Sequence, residues 1–193
     1  MIESKLADIK LMNFTPFPER TTERLHLRKI EDSDCNAVLF LRSHKTINKF
    51  IQRPESEQTK NSADALAFIK KIAVGIDRNE FISWAITLKN SPEMIGTICL
   101  WNFSNDRKTA EVGYDLDPIF QGKGIMSEAL KSIVNFGHLE LNLDQVEAFT
   151  HRDNENSKTL LINNGFTLNE NRRDVDAHSN LIFEIKNPSA NIQ

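Results

Sequence analysis

Between Phe81 and Leu141 the hydrophobic rhythm of this chain changes once, and that change restricts the folds open to it. Up to Leu116 apolar residues alternate, as a strand with one buried face requires. From Met126 they recur at helical spacing, at Leu130, Ile133, Val134, Gly137 and Leu141, which predicts a helix from about Gly124 to His138. Between the two lie Asp117-Pro118, which ends a strand, and Gly122-Lys123-Gly124. Strand, glycine-flanked turn and helix make a βα unit. A strand following that helix is expected to run parallel to the one before it, by a right-handed crossover.

The remaining segments fit around this unit. Phe81 to Leu88, with Ile82, Trp84, Ile86 and Leu88 inward, Met94 to Trp101 and Ala110 to Leu116 read as strands. The turns between them are short and polar, which favours an antiparallel meander. Upstream, Arg20 to Ile30 reads as a strand with Leu25 and Leu27 on one face. A helix starts near Asp32 or Ser33 and carries Ala37, Phe40 and Leu41. Ile51 to Lys60 is a loop. Asn61 or Ser62 caps a helix with Ile69, Ile72, Ala73 and Ile76 on one face. Downstream come a strand at Gln145 to Thr150, a short helix capped by Asn154 or Asn156 and ended by Gly165, and strands at Phe166 to Leu168 and Leu181 to Ile185. Residues 1–20 read as an irregular lead-in and 186–193 as a frayed tail. The expected fold is α+β, a mixed and mostly antiparallel central sheet with one parallel pair, flanked by helices. A length of 193 residues suits a single domain, 1–193, with its core at about 20–186.

Composition narrows the partners. Twenty-four basic and 27 acidic residues give a net charge of −3, so no cationic excess exists to hold nucleic acid. The longest apolar run, Ala37 to Leu41, is far short of the roughly 20 residues of a membrane span. No signal peptide is evident at the N-terminus. Cys35 and Cys99 are too few for a disulfide framework or a cysteine-rich zinc site, and are expected as buried thiols in a reducing cytoplasm. The five histidines show no paired metal-ligand spacing, so no metal is implied.

Phe120 to Met126 is the segment that carries chemistry. Backbone N–H groups between a strand and a helix can converge on an anion, and the helix dipole favours negative charge. The loop is not a Walker A motif, because Lys123 is followed by Gly124 rather than a hydroxyl residue. It also lacks the third glycine of a dinucleotide fingerprint. The loop alone leaves two readings open, a phosphate cradle and a tight βα turn whose glycines serve geometry only.

Gln121-Gly122-Lys123-Gly124-Ile125-Met126 resembles the Gln/Arg-x-x-Gly-x-Gly/Ala signature of the GCN5-related N-acetyltransferases (GNAT). Glu111-Val112-Gly113-Tyr114 before it, Asn154-Glu155-Asn156-Ser157 after it and Asn164-Gly165-Phe166 further on agree in order and spacing. Glu23-Arg24-Leu25-His26-Leu27-Arg28 resembles the first strand of the RimJ/RimL-type branch, which acetylates ribosomal-protein N-termini. The resemblance spans about residues 20–186. It implies a sheet splayed at the parallel pair, with acetyl-coenzyme A (acetyl-CoA) in the gap. It also implies pyrophosphate on the backbone of Gln121, Gly122, Lys123, Gly124, Ile125 and Met126, and pantetheine along Asp115, Leu116 and Asp117. Met126 departs from the signature, standing where Gly or Ala is usual; a linear side chain is expected to turn away from the helix start.

Acetyl transfer to an amine needs a base for the amine, donors for the developing oxyanion and a proton for the departing thiolate. Glu111, on the strand beside the expected cofactor gap, is the first candidate for the base, with Asp115 and His151 as runners-up. Glu128 suits the helix dipole and is read as structural. The resemblance would place a tyrosine acid at position 161, where this chain has Leu161. It offers Asn154 on the cofactor and the Ser157 hydroxyl near its sulfur instead, although either residue would also cap a helix. Trp84 and Trp101 are expected in the core, with walling of the acceptor cleft as the alternative. By the same resemblance the first two helices, Ile47–Lys60 and Arg172–Asn180 are expected to line the acceptor side.

The expected activity is acetyl-CoA-dependent N-acetylation of a primary amine, with a protein N-terminal α-amine as the leading acceptor, by a monomer or homodimer. The alternatives are a polyamine or aminoglycoside acetyltransferase and a non-catalytic coenzyme A sensor.

Overall fold

A computed structural model describes residues 12–51 and 53–190. Its strands are β1 (Arg20–Thr21), β2 (Leu25–Lys29), β3 (Ile82–Leu88), β4 (Met94–Trp101), β5 (Thr109–Leu116), β6 (Gln145–His151), β7 (Thr167–Leu168) and β8 (Asn180–Lys186). Its helices are α1 (Cys35–Ser43), α2 (Ser62–Asp77), α3 (Ile125–Leu139) and α4 (Glu155–Asn163). All eight strands form one sheet in the order β1-β2-β3-β4-β5-β6-β8-β7. Among the described residues only β5 and β6 pair in parallel, the strands on either side of the α3 crossover. The expected α+β architecture, meander and parallel pair are therefore present.

The helices divide over the two faces. One face packs Leu25, Leu27, Trp84, Ile98, Leu100 and Val112 against α3 through Met126, Leu130 and Ile133. Trp84 is fully buried there, donates Nε1–H to the Pro18 carbonyl at 2.8 Å and meets Phe136 edge-on at 5.4 Å. The other face packs Ala85 and Met94 against Val38 and Leu41 of α1 and Ala65 and Ile69 of α2. This second layer buries β3 on both sides from Ile82 to Thr87, although only its even positions are large and apolar. Small residues at Ser83, Ala85 and Thr87 leave room for the helices.

The helices do not cover the whole second face. β5 and β6 pair only at Thr109–Gln145, Ala110–Val146 and Glu111–Glu147. Beyond that, β5 stays bonded to β4 as far as Leu116 and β6 to β8 as far as His151. Their facing edges are unpaired, so the sheet opens into a V, and an extended chain fits such an edge as an added strand would.

Several local expectations are corrected. The first strand is split, because the Thr22 N–H bonds the Leu25 carbonyl at 3.0 Å and turns the chain. A one-turn 3-10 helix at Asp32–Asp34 precedes α1, with Glu31 and Asp34 at the caps rather than Asp32 or Ser33. Asp34 is held there by two bonds from Arg28, at 2.7 and 2.8 Å. Val38 and Leu41 are the buried face of α1, whereas Phe40 is exposed. Trp101 is 45% exposed rather than core, because it lies at the end of β4 on the uncovered face. Cys35 and Cys99 are free and only partly buried. Burial pushes the Cys99 thiol up to about 12, so it is inert as a nucleophile. The chain past β8 is not frayed at its start. Asn187 donates to the carbonyls of Asp144, His138 and Leu143, which pins it. Most of the lead-in, residues 1–11, and the last residues, 191–193, lie outside the described residues.

Candidate active site

The βα loop has the form an anion site needs. Gly122 and Gly124 both have positive φ, 71° and 72°, where a side chain is strained. Gly124 caps α3 and supplies no side-chain acceptor. The free N–H groups of the first helical turn are therefore left for a ligand. A Cβ at Gly122 would meet nothing within 4 Å, so the space in front of the loop is open. An anionic group such as a pyrophosphate fits these residues.

The loop is braced from behind by residues nearly 100 positions away. Arg24 donates Nη1–H to the Lys123 carbonyl at 2.9 Å and Nε–H to Glu128 at 2.6 Å. Glu128 also accepts from the Thr22 hydroxyl at 2.6 Å and the Arg24 N–H at 2.8 Å. Burial acts to raise the pKa of Glu128, but these bonds outweigh it and hold the carboxyl low. Its structural role is thus as expected. The Gln121 amide folds back onto the Leu116 carbonyl at 3.0 Å, and Asp117 caps the turn through Ile119 N–H at 3.0 Å. Met126 turns into the core, as a linear side chain there was expected to do, so its departure from the signature does not crowd the loop.

Glu111 occupies the point where the V opens. It stands opposite Trp101 on β4 and Glu147 on β6, all on the uncovered face. Burial raises its pKa, with the charges of Asp174 and Glu147 adding and Asn102 opposing, to about 7. Glu147 is itself buried and bonded to Arg172 and to the Gln145 amide, the latter at 2.6 Å. A partly buried carboxyl poised near neutrality suits a general base.

The runners-up are otherwise occupied. Asp115 is on the same face as Glu111 but accepts from the Thr97 N–H at 3.1 Å and hydroxyl at 2.8 Å. Burial pushes its carboxyl above the usual range. His151 ends β6, with Phe50 stacked on its ring at 5.2 Å and the Asp153 N–H 3.2 Å from Nδ1. That stack carries the α1–α2 connection across to the far strand of the V.

On the opposite face, the Tyr114 hydroxyl lies 2.9 Å from Ser157 Oγ. Burial pushes the Tyr114 hydroxyl up to about 12, so it keeps its proton at neutral pH. Asn154 caps α4 by accepting from the Ser157 N–H at 3.2 Å. Leu161 is fully buried and offers no acid. Tyr114 is a group to which the sequence reading gave no chemical role, because the resemblance looks for a tyrosine at position 161. Its signal was available, since it is the chain's one tyrosine and it lies on the strand beside the gap. Glu111 and Tyr114 therefore point to opposite sides of β5, one toward the uncovered face and one toward α4.

Among the described residues no group of three or more His, Cys, Asp or Glu side chains forms a metal site. No helix among them is long and apolar enough to cross a membrane.

A sheet splayed at its parallel pair and a glycine turn that opens a helix are the features the resemblance to the GNAT class implies. The acetyltransferase (GNAT) domain model matches residues 24–167, and the chain belongs to that family. The N-acetyltransferase YoaA of Bacillus subtilis (strain 168), a protein of uncharacterised role, is 30% identical over 78% of this chain and 83% of its own length. The ribosomal-protein-S5-alanine acetyltransferase of Vibrio fischeri superposes with a TM-score of 0.73 at 21% identity, over 89% of this chain and 98% of that one. RimL, the ribosomal L7/L12 α-N-protein acetyltransferase, solved with coenzyme A, gives 0.73 at 20% identity over 86% and 96%. The chain is thus an acyltransferase of the N-acetyltransferase kind.

Proposed function

We propose that this protein acetylates a primary amine from acetyl-CoA by direct transfer in a ternary complex, with a protein N-terminal α-amine as acceptor. The reading is carried by the place of Glu111, opposite Glu147 where the β5–β6 pairing ends, with burial pushing its carboxyl up to about 7. Family membership supports the acetyl donor, and the names of the two ribosomal-protein acetyltransferases support the acceptor class.

Acetyl-CoA supplies an activated thioester when bound. The backbone of Gln121 to Met126 holds its pyrophosphate, and the open edge at Asp115, Leu116 and Asp117 takes the pantetheine arm. Glu111 removes a proton from the incoming ammonium, directly or through one water. A backbone N–H near Leu116 donates to the developing oxyanion. As the C–N bond forms and the C–S bond breaks, the thiolate takes a proton through the Ser157 hydroxyl, which is bonded to Tyr114, and the second proton shed by the nitrogen replaces it, with Asn154 fixing the start of α4. No covalent enzyme intermediate is needed.

The test is acetyl-CoA turnover, read as free thiol, against N-terminal peptides, polyamines and aminoglycosides, with thermal shift by coenzyme A in parallel. Thiol release dependent on a peptide is the expected result. Release only with small amines would move the acceptor class. Stabilisation without release from any acceptor would favour a coenzyme A sensor.

A further inference from the structure

Trp101, 45% exposed, stands beside the candidate base on the uncovered face of the sheet. It pairs with Glu111 across β4 and β5, while Cys99 pairs with Gly113 and Thr97 with Asp115. Residues directly opposite one another share a face, with Cβ atoms about 5 Å apart. Gly113 leaves β5 bare between Glu111 and Asp115, and the indole reaches diagonally over it. A Cβ at Gly113 would lie 3.6 Å from Trp101 Nε1 and 4.0 Å from Cδ1. The N–H edge of the ring therefore lies over β5, one pleat from Glu111, about 7 Å along the strand.

The two tryptophans use this N–H differently. Trp84 donates its own to the Pro18 carbonyl in the core, whereas Trp101 Nε1–H has no acceptor among the described residues. An indole N–H donates and cannot accept, so the group that completes it is an acceptor oxygen such as a carbonyl. Length decides which amine brings one. In a peptide N-terminus the oxygen of the first carbonyl lies about 3 Å from the α-nitrogen. With a hydrogen bond of about 3 Å at each end, those two atoms reach from a carboxylate to a donor one pleat away. A lysine ε-amine and a polyamine carry only methylenes next to the nitrogen, and leave the indole N–H unpaired.

We infer that Trp101 is a specificity residue of the acceptor site, its Nε1–H donating to the first carbonyl of a peptide whose α-amine faces Glu111. It selects α-amines over lysine and polyamine nitrogens. The inference rests on the amine-acetyltransferase reading for the place of the amine. Leaving such a pair unmade costs about tenfold in affinity.

The experiment is calorimetry of coenzyme A-loaded protein with two C-terminally amidated peptides. One has a free α-amine and no lysine; the other is N-acetylated, with a single lysine as its amine. Wild type is compared with Trp101→Phe, which keeps an aromatic ring and removes the N–H. Thiol release from acetyl-CoA is followed with the same peptides. Wild type should bind the α-amine peptide about tenfold more tightly, and Trp101→Phe should erase that ratio by weakening this peptide alone. Equal affinities in wild type, a ratio that survives Trp101→Phe, or a loss shared by both peptides overturns the donor role. Thiol release from the α-amine peptide that Trp101→Phe leaves unchanged overturns it while keeping the amine-acetyltransferase reading. A Trp101-dependent ratio with no thiol release from either peptide keeps the subsite and overturns that reading.

Discussion

The βα loop and the acceptor cleft flank the same pair of splayed strands but are built from different material. At the loop, Gly122 and Gly124 expose backbone N–H groups, and the side chains around them work from behind: Arg24 on the Lys123 carbonyl, Gln121 on the Leu116 carbonyl, Met126 in the core. In the cleft, side chains face the opening. Glu111 and Asp115 of β5 stand there beside Trp101 and Thr97 of β4 and Glu147 of β6, and burial raises the proton affinity of both β5 carboxyls. A backbone site tolerates variation in side chains as long as its dihedrals persist. A side-chain site changes its ligand with single substitutions. One fold can thus keep its donor and vary its acceptor.

Substitutions at the two sites should separate accordingly. The largest effect is expected from Glu111→Gln, which removes the base and should lower kcat roughly 10²–10⁴-fold while sparing coenzyme A affinity. A conserved turnover number would dismiss Glu111. The same variant carries a stability signature. Glu111 binds its proton more tightly in the folded protein than in the unfolded chain, so wild-type stability falls as pH rises from about 4.5 to about 7. Glu111→Gln removes that cost and should melt higher than wild type at pH 8, whereas equal melting would deny the desolvation.

Smaller effects follow at the loop. Met126→Ala restores a residue usual in the family signature but empties a core position, so a loss of about 2–5 kcal/mol is expected in denaturant titration. Coenzyme A affinity measured below the transition should hold; a tighter complex would mean that Met126 crowds the loop. Gly124→Ala imposes φ 72° on a residue with a Cβ, which meets Arg24 at 3.4 Å. It should cost about 1–2 kcal/mol in stability and weaken coenzyme A binding by calorimetry. Arg24→Ala is the mildest, with KM for acetyl-CoA expected to rise a few-fold and to move more than kcat.

The loop was legible in the sequence for the same reason that it is robust. Its geometry is local, so two glycines between a strand rhythm and a helix rhythm mark the turn, and the family signature adds the phosphate reading. Alternation places Glu111 on the strand before the loop, and only the family resemblance singles it out as a candidate base. The cleft was not. Phe50 ends a polar stretch, and nothing in the sequence marks the stack it makes on His151 at 5.2 Å. Trp101 shows the converse, a large aromatic in a strand pattern left exposed because the helices stop short of it. Likewise, Arg24 carries no mark of the brace it makes across 99 positions.

The most direct measurement is the pH dependence of kcat/KM for peptide acetylation in wild type and Glu111→Gln, taken as their ratio so that the titration of the acceptor α-amine, at about 8, cancels. A limb rising through about pH 7 in wild type and missing from the variant is the expected result. The same limb at the same height in both proteins would contradict Glu111 as the base.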